Sequence, residues 1–146
     1  MTMRLQLALL ALLLVPYFIN LGEPDLWDAN ETLYAEPPRE ALETGEWLAP
    51  TMNYETWFVK PPGVTWVLLP FYKVLGPTEF AARLPLALAA AGTILLLWDL
   101  TRRLAGDRAA LLAAAILATT AKQVVFSRQL AGDVLLTLCL VAAAQG

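Results

Sequence analysis

The chain has 146 residues, 58% of them apolar and only 16% charged, against about 25% charged in a typical soluble domain. With a mean hydropathy of +0.57 and a net charge of −3, this composition excludes a water-soluble globular protein, a disordered chain and a nucleic-acid binder. There is no histidine and one cysteine, Cys139, so histidine triads, histidine-ligated zinc and a disulfide framework are excluded too.

Residues 5–21 form an uncharged run of 17 residues behind Arg4. At helical rise it reaches about 25 Å, a marginal first span of a hydrocarbon core about 30 Å thick. The alternative is a cleaved signal peptide. A small-x-small cleavage site is missing, and Pro16, Tyr17, Phe18 and Asn20 follow the apolar core instead, which favours a retained helix.

Residues 22–59 carry nine acids and one base, Arg39. The other 108 residues carry four acids and nine bases. This acidic segment, rich in proline and tryptophan, is a wet loop with short helices. Asp28 followed by Glu31 fits a capping box, predicting a helix from about Ala29. Pro37 predicts a kink or stop, Pro38 a second short helix, and Gly45 its end. Residues 61–76 are apolar and aromatic but hold Pro70 and Lys73. They are too short for an ordinary span, and the pattern predicts a helix lying in the membrane interface.

A second span is predicted over residues 80–98, running on to 101, with Arg83 snorkelling near one end. Asp99 is expected to pair with Arg102 or Arg103. A third span is predicted over 109–126. A fourth apolar run over 134–146 is too short to cross, which predicts that the chain is the N-terminal part of a longer polypeptide. The positive-inside rule puts Arg4 and the Arg102, Arg103 and Arg108 cluster in the cytoplasm. The acidic loop 22–76, Lys60 and Asp133 then share the outer face. The expected fold class is an all-α membrane protein, one domain over residues 1–146. It has about four transmembrane helices and juxtamembrane helices in the first outer loop.

Three clusters could carry chemistry. Asp28, Glu31, Tyr34 and Glu36 offer a general base, or hard oxygens for a divalent cation; the structural alternative is a capped helix start. Lys60 stands before Pro61 and Pro62, either as an ammonium aimed at a lipid phosphate or as a snorkelling interfacial lysine. Arg128 and Asp133 lie in the short outer connection after the third span, either functional or a helix cap with a local ion pair.

The order of these residues carries a resemblance. It runs Trp27-Asp28-x-x-Glu31-x-x-Tyr34-Ala35-Glu36, Arg39-Glu40, Gly45-x-Trp47-Leu48-x-Pro50, Lys60-Pro61-Pro62, Glu79-Phe80-Ala81-Ala82-Arg83-Leu84-Pro85 and Asp133-x-x-Leu136-Thr137. It resembles the N-terminal part of the membrane glycosyltransferases that use lipid-linked sugars. These are the protein O-mannosyltransferase and aminoarabinose transferase superfamily, with the GT-C fold. The resemblance implies a polyprenyl-phosphate sugar bound at the outer membrane face and transfer to an acceptor with inversion. It implies that Lys60 contacts the lipid phosphate and that Asp133 lines the cavity. The family's usual candidate base, an Asp beside Glu31, is replaced by Asn30, which accepts no proton. Asp133 with Glu31 is therefore the expected base, with Tyr34, Asp28 and Arg128 beside the substrate. A divalent cation is a candidate cofactor. The metal, the sugar and the acceptor are not specified by the sequence. The competing reading is a non-catalytic membrane module binding a polyprenyl-phosphate ligand or a partner subunit, which Asn30 favours.

Overall fold

The structure is a computed structural model that describes residues 3–23, 25–26 and 30–145. It is mostly helical. The helices are α1 (Met3–Leu14), α2 (Thr32–Thr44), α3 (Gly63–Leu75), α4 (Glu79–Ala105), α5 (Asp107–Thr119), α6 (Ala121–Ser127) and α7 (Gly132–Ala143). A short 3₁₀ turn, Val15–Tyr17, extends α1. Besides the helices and their connecting segments, the described residues hold a two-residue antiparallel pair, β1 (Thr51–Met52) with β2 (Glu55–Thr56). Asn53 and Tyr54 make its turn with φ of 56° and 63°, the mirror-image turn that suits strand twist.

The central element is α4, 27 residues long. Its N-terminus is capped by Thr78, whose Oγ1 accepts the amide of Ala81 at 3.2 Å, satisfying a donor that no helical carbonyl reaches. It is apolar around its circumference because it packs on several sides, against α3, α5 and α7. Small residues make that possible. Ala81, Ala82, Ala89 and Ala90 of α4 are buried, and α5 brings buried Ala110, Ala114 and Ala118 at four-residue spacing. Such surfaces let backbones approach closely. Gly106, at φ 84°, supplies the left-handed conformation that turns α4 directly into α5.

Three expectations change. The predicted third span is not one helix: α5 and α6 meet at a bend of 62°. Thr120 is extended there, and side-chain hydroxyls reach carbonyls around the break. The Thr119 hydroxyl donates to Ala115 O at 2.7 Å and the Thr120 hydroxyl to Ile116 O at 2.7 Å. The Tyr17 hydroxyl donates to Ala118 O at 3.0 Å, which also ties the end of α1 to the end of α5. Next, α2 neither stops nor restarts at its prolines. Pro37 and Pro38 lie inside one continuous helix and are both buried, so packing against α3 offsets the hydrogen bonds their ring nitrogens cannot donate. The helix does end at Gly45, whose amide donates to Ala41 O. Finally, α2 begins at Thr32, with Glu31 at the cap position making no side-chain capping bond. The expected cap Asp28 and the expected start at Ala29 lie outside the described residues.

Among the described residues one helix, α4, is long and apolar enough to cross a membrane, and the bent α5–α6 pair passes the same test as a unit. The α1, α3 and α7 segments are apolar but shorter. Asp99 pairs with Arg103 at 2.5 Å, as expected, and Arg102 pairs with Asp107 at 3.0 Å.

Candidate functional site

Arg83 is not a snorkelling residue. One turn into α4, it is buried, and its guanidinium meets the Glu31 carboxylate side-on: Nε to Oε1 at 3.0 Å and Nη2 to Oε2 at 2.8 Å. The side chains are 4% and 3% exposed. Further donors of the guanidinium reach Leu21 O at 3.1 Å and Asp25 O at 2.9 Å. Glu31 Oε1 also accepts the amide of Leu130 at 2.9 Å. The pair thus joins four segments: the end of the first helical region, the start of α2, the start of α4 and the link from α6 to α7. A charge this deep is retained only when paired and hydrogen-bonded. The snorkelling expectation fails because acidic chain folds over Arg83 and supplies the partner at hand.

One turn further along α2, Tyr34 extends the site. The Lys60 ammonium lies 4.9 Å from the centre of the Tyr34 ring, within cation–π range. The Tyr34 hydroxyl lies 3.6 Å from where a β-carbon on Gly132 would stand, and Val64 Cγ2 lies 3.4 Å from it. Tyr34 therefore sits between Lys60 and the N-terminus of α7. Asp133 occupies the first turn of that helix and is exposed; its backbone carbonyl accepts the Thr137 hydroxyl at 2.7 Å. Lys60 is half-buried. The sequence put the acidic loop, Lys60 and Asp133 on one face; the structure brings Lys60 to Tyr34 and sets Asp133 one residue from the Tyr34 contact at Gly132.

Glu31 is in a different position from the one a general base needs. Its carboxylate is committed to Arg83 and Leu130. Asn30 is exposed in the turn before α2. Asp28 lies outside the described residues. Arg128 lines a separate cavity of about 580 Å³, together with Asn20, Asp25, Gln129 and the inner Glu31–Arg83 pair. Among the described residues no three metal-ligating side chains converge.

Sequence reasoning missed the pairing of Arg83 and the role of Glu40. Arg83 had a usable signal: an arginine four residues into an apolar run needs a partner, and the acidic loop offers several. Glu40 had none. It is fully buried, and its Oε2 accepts the Thr51 hydroxyl at 2.5 Å and the Tyr54 amide at 3.0 Å, fixing the β1–β2 turn on α2. On the outer face of α2, Arg39 bridges Glu36 and Glu43. The hydrogen bond from Arg39 holds the Glu36 carboxyl below its ordinary range. Glu43 is lowered chiefly by the Tyr54 hydroxyl, which donates to it at 2.6 Å. Burial pushes the Tyr72 phenol above its ordinary range, and Glu36 and Glu79 add to the shift. Tyr72 is thus a neutral hydroxyl at physiological pH.

A family model described as dolichyl-phosphate-mannose-protein mannosyltransferase matches residues 59–145. An uncharacterised protein of Aquifex aeolicus is 36% identical over 106 residues, 73% of this chain and 21% of that protein. An undecaprenyl phosphate-alpha-4-amino-4-deoxy-L-arabinose arabinosyl transferase of Pseudomonas savastanoi is 33% identical over 109 residues, 75% of this chain and 20% of that one. The crystal structure of ArnT from Cupriavidus metallidurans bound to undecaprenyl phosphate superposes with a TM-score of 0.87 at 29% identity, covering 96% of this chain and 26% of that one. The chain thus spans about a fifth to a quarter of the length of these relatives.

The buried pair yields a stability prediction. Arg83→Met and Glu31→Gln should each destabilise the protein by about 3–5 kcal/mol, because each leaves a charge or its hydrogen-bonding partners uncompensated. The double variant should lose clearly less than the sum. Denaturant unfolding in micelles, run as a double-mutant cycle, measures this coupling; additive losses would mean that the two side chains do not interact.

Proposed function

The chain belongs to the dolichyl-phosphate-mannose-protein mannosyltransferase family, and we propose that it is part of a GT-C glycosyltransferase, binding a polyprenyl-phosphate sugar at the outer face of a membrane and serving its transfer to an acceptor. The observation that carries the reading is the Lys60 ammonium held over Tyr34, beside the N-terminus of α7. A cation and a helix N-terminus on either side of one ring suit a phosphate. The similarity to a structure bound to undecaprenyl phosphate supports the same ligand class.

In this reading the bond from the anomeric carbon to the phosphate oxygen breaks, and the bonding electrons stay with the phosphate. Lys60 stabilises that developing charge. The acceptor oxygen attacks from the opposite face, which inverts the anomeric centre, and its proton passes to a carboxylate. Asp133 takes that role, being exposed at the site, while Glu31 holds the scaffold. Asn30, in the place of the family's Asp, hydrogen-bonds the sugar. A non-catalytic ligand-binding module is the second reading, and Asn30 is the observation that favours it. Both readings bind the same ligand. The α4 helix spans the membrane once, α3 lies along the interface, and the acidic loop faces outward.

Two experiments test this. Lys60→Ala should weaken binding of undecaprenyl phosphate about tenfold or more, and Lys60→Arg should keep part of it, as expected for a charge-assisted contact. Unchanged affinity in the alanine variant would make Lys60 an ordinary interfacial lysine. For topology, single cysteines at Glu43 and Asp107 in a Cys139→Ser background should respond oppositely to an impermeant maleimide added to intact cells. Glu43→Cys should label and Asp107→Cys should not; equal labelling would overturn the orientation.

A further inference from the structure

The cavity that Arg128 lines is not the Lys60 site. Neither Lys60 nor Tyr34 borders it. At about 580 Å³ it falls within the range of small-ligand pockets. Among the described residues four charged ones border it: Asp25, Glu31, Arg83 and Arg128. Two of these cancel, because Glu31 and Arg83 form the buried bidentate pair. Of the described charges at the cavity, Arg128 and Asp25 are those left outside that pair. Asp25 is exposed at the edge, whereas Arg128 is half-buried.

Arg128 is also fixed in place. Its Nη2 donates to Ile19 O at 2.8 Å, which ties the α6–α7 link to the segment after α1. No other hydrogen bond or ion pair engages its guanidinium among the described residues. A planar fork pinned by one nitrogen and open at the others suits bidentate capture of an oxyanion, with little ordering left to do on binding. Asn20 and Gln129 border the same space and bring amide groups that donate to and accept from hydroxyls.

We propose that this cavity is a second binding site, for a phosphorylated, hydroxyl-bearing ligand whose phosphate is held by Arg128. The proposal does not depend on the Lys60 reading. In a sugar transfer it would place a second phosphorylated molecule against the Glu31–Arg83 pair, apart from the one at Lys60.

The test uses the protein in phosphatidylcholine nanodiscs with glucose 1-phosphate as probe, by titration calorimetry. The wild type should bind it. Arg128→Gln should weaken binding roughly tenfold or more, and Arg128→Lys should weaken it less. Asp25→Asn removes the opposing charge and should tighten it. Lys60→Ala should leave it unchanged. No binding by the wild type, or an Arg128→Gln variant of unchanged helicity that binds as well as wild type, would overturn the proposal. So would a Lys60→Ala variant that loses the probe, since that indicates one shared site. If instead Lys60→Ala retains undecaprenyl phosphate while Arg128→Gln loses glucose 1-phosphate, the second site stands and the Lys60 reading fails. Adding phosphatidic acid to the nanodiscs separates the ligand's sources: competition with the probe supports the site and marks a lipid headgroup, and its absence with probe still bound supports the site and marks a soluble phosphate.

Discussion

A guanidinium and a carboxylate buried together in an otherwise apolar helical protein dominate the architecture. Removing both from water is costly, and the cost is offset only by good geometry and full hydrogen bonding. Arg83 and Glu31 meet both conditions: a bidentate pair, two backbone carbonyls on the arginine and one backbone amide on the glutamate. Each added contact draws in another stretch of chain. Leu21 and Asp25 are held against the start of α4, and Leu130 is held against the start of α2. The segment before α2 and the entry to α7 are therefore tied to one interaction, to which the burial of Leu130, Ala131 and Val134 adds. Tyr34 follows Glu31 by one helical turn, so fixing Glu31 also fixes the ring on which Lys60 rests.

This arrangement separates two uses of positive charge. Arg83 is neutralised and structural. Lys60 and Arg128 are fixed by weaker ties, a ring face and a single carbonyl, and neither forms an ion pair among the described residues. The same end of the molecule carries both. The apolar remainder supplies a frame: alanines on α4 and α5 let the helices close tightly, and the Thr119–Thr120 break turns α6 away from the line of α5. That turn carries Arg128, Leu130 and the start of α7 to the segment between α1 and α2.

Much of the fold was legible because it rests on local rules. Apolar runs gave α1, α4 and α7, Gly45 gave the end of α2, and Asp99 with Arg103 followed from four-residue spacing. The order of motifs gave the family. What was not legible rests on contacts between distant residues. Pro37 and Pro38 break helices by their own chemistry, and only burial against α3 keeps α2 whole. Thr119 and Thr120 show no obvious signal inside an apolar run; their hydroxyls, with that of Tyr17 some hundred residues away, reach carbonyls around the break. Glu31 was read as a helix-start acid and a candidate base because its partner lies 52 positions onward. Of the site itself, the sequence put the acidic loop, Lys60 and Asp133 on one face, whereas the pairing of Arg83 with Glu31 was not legible.

The central claim is that the Glu31–Arg83 pair, which need not touch the lipid phosphate, holds the Lys60 site in shape. The most direct measurement is the affinity of Glu31→Gln for undecaprenyl phosphate, with Lys60 intact and helicity checked by circular dichroism. The account predicts that a folded Glu31→Gln variant loses affinity, because Tyr34 and the entry to α7 are no longer held against Lys60. A folded variant that binds undecaprenyl phosphate as tightly as the wild type would contradict it.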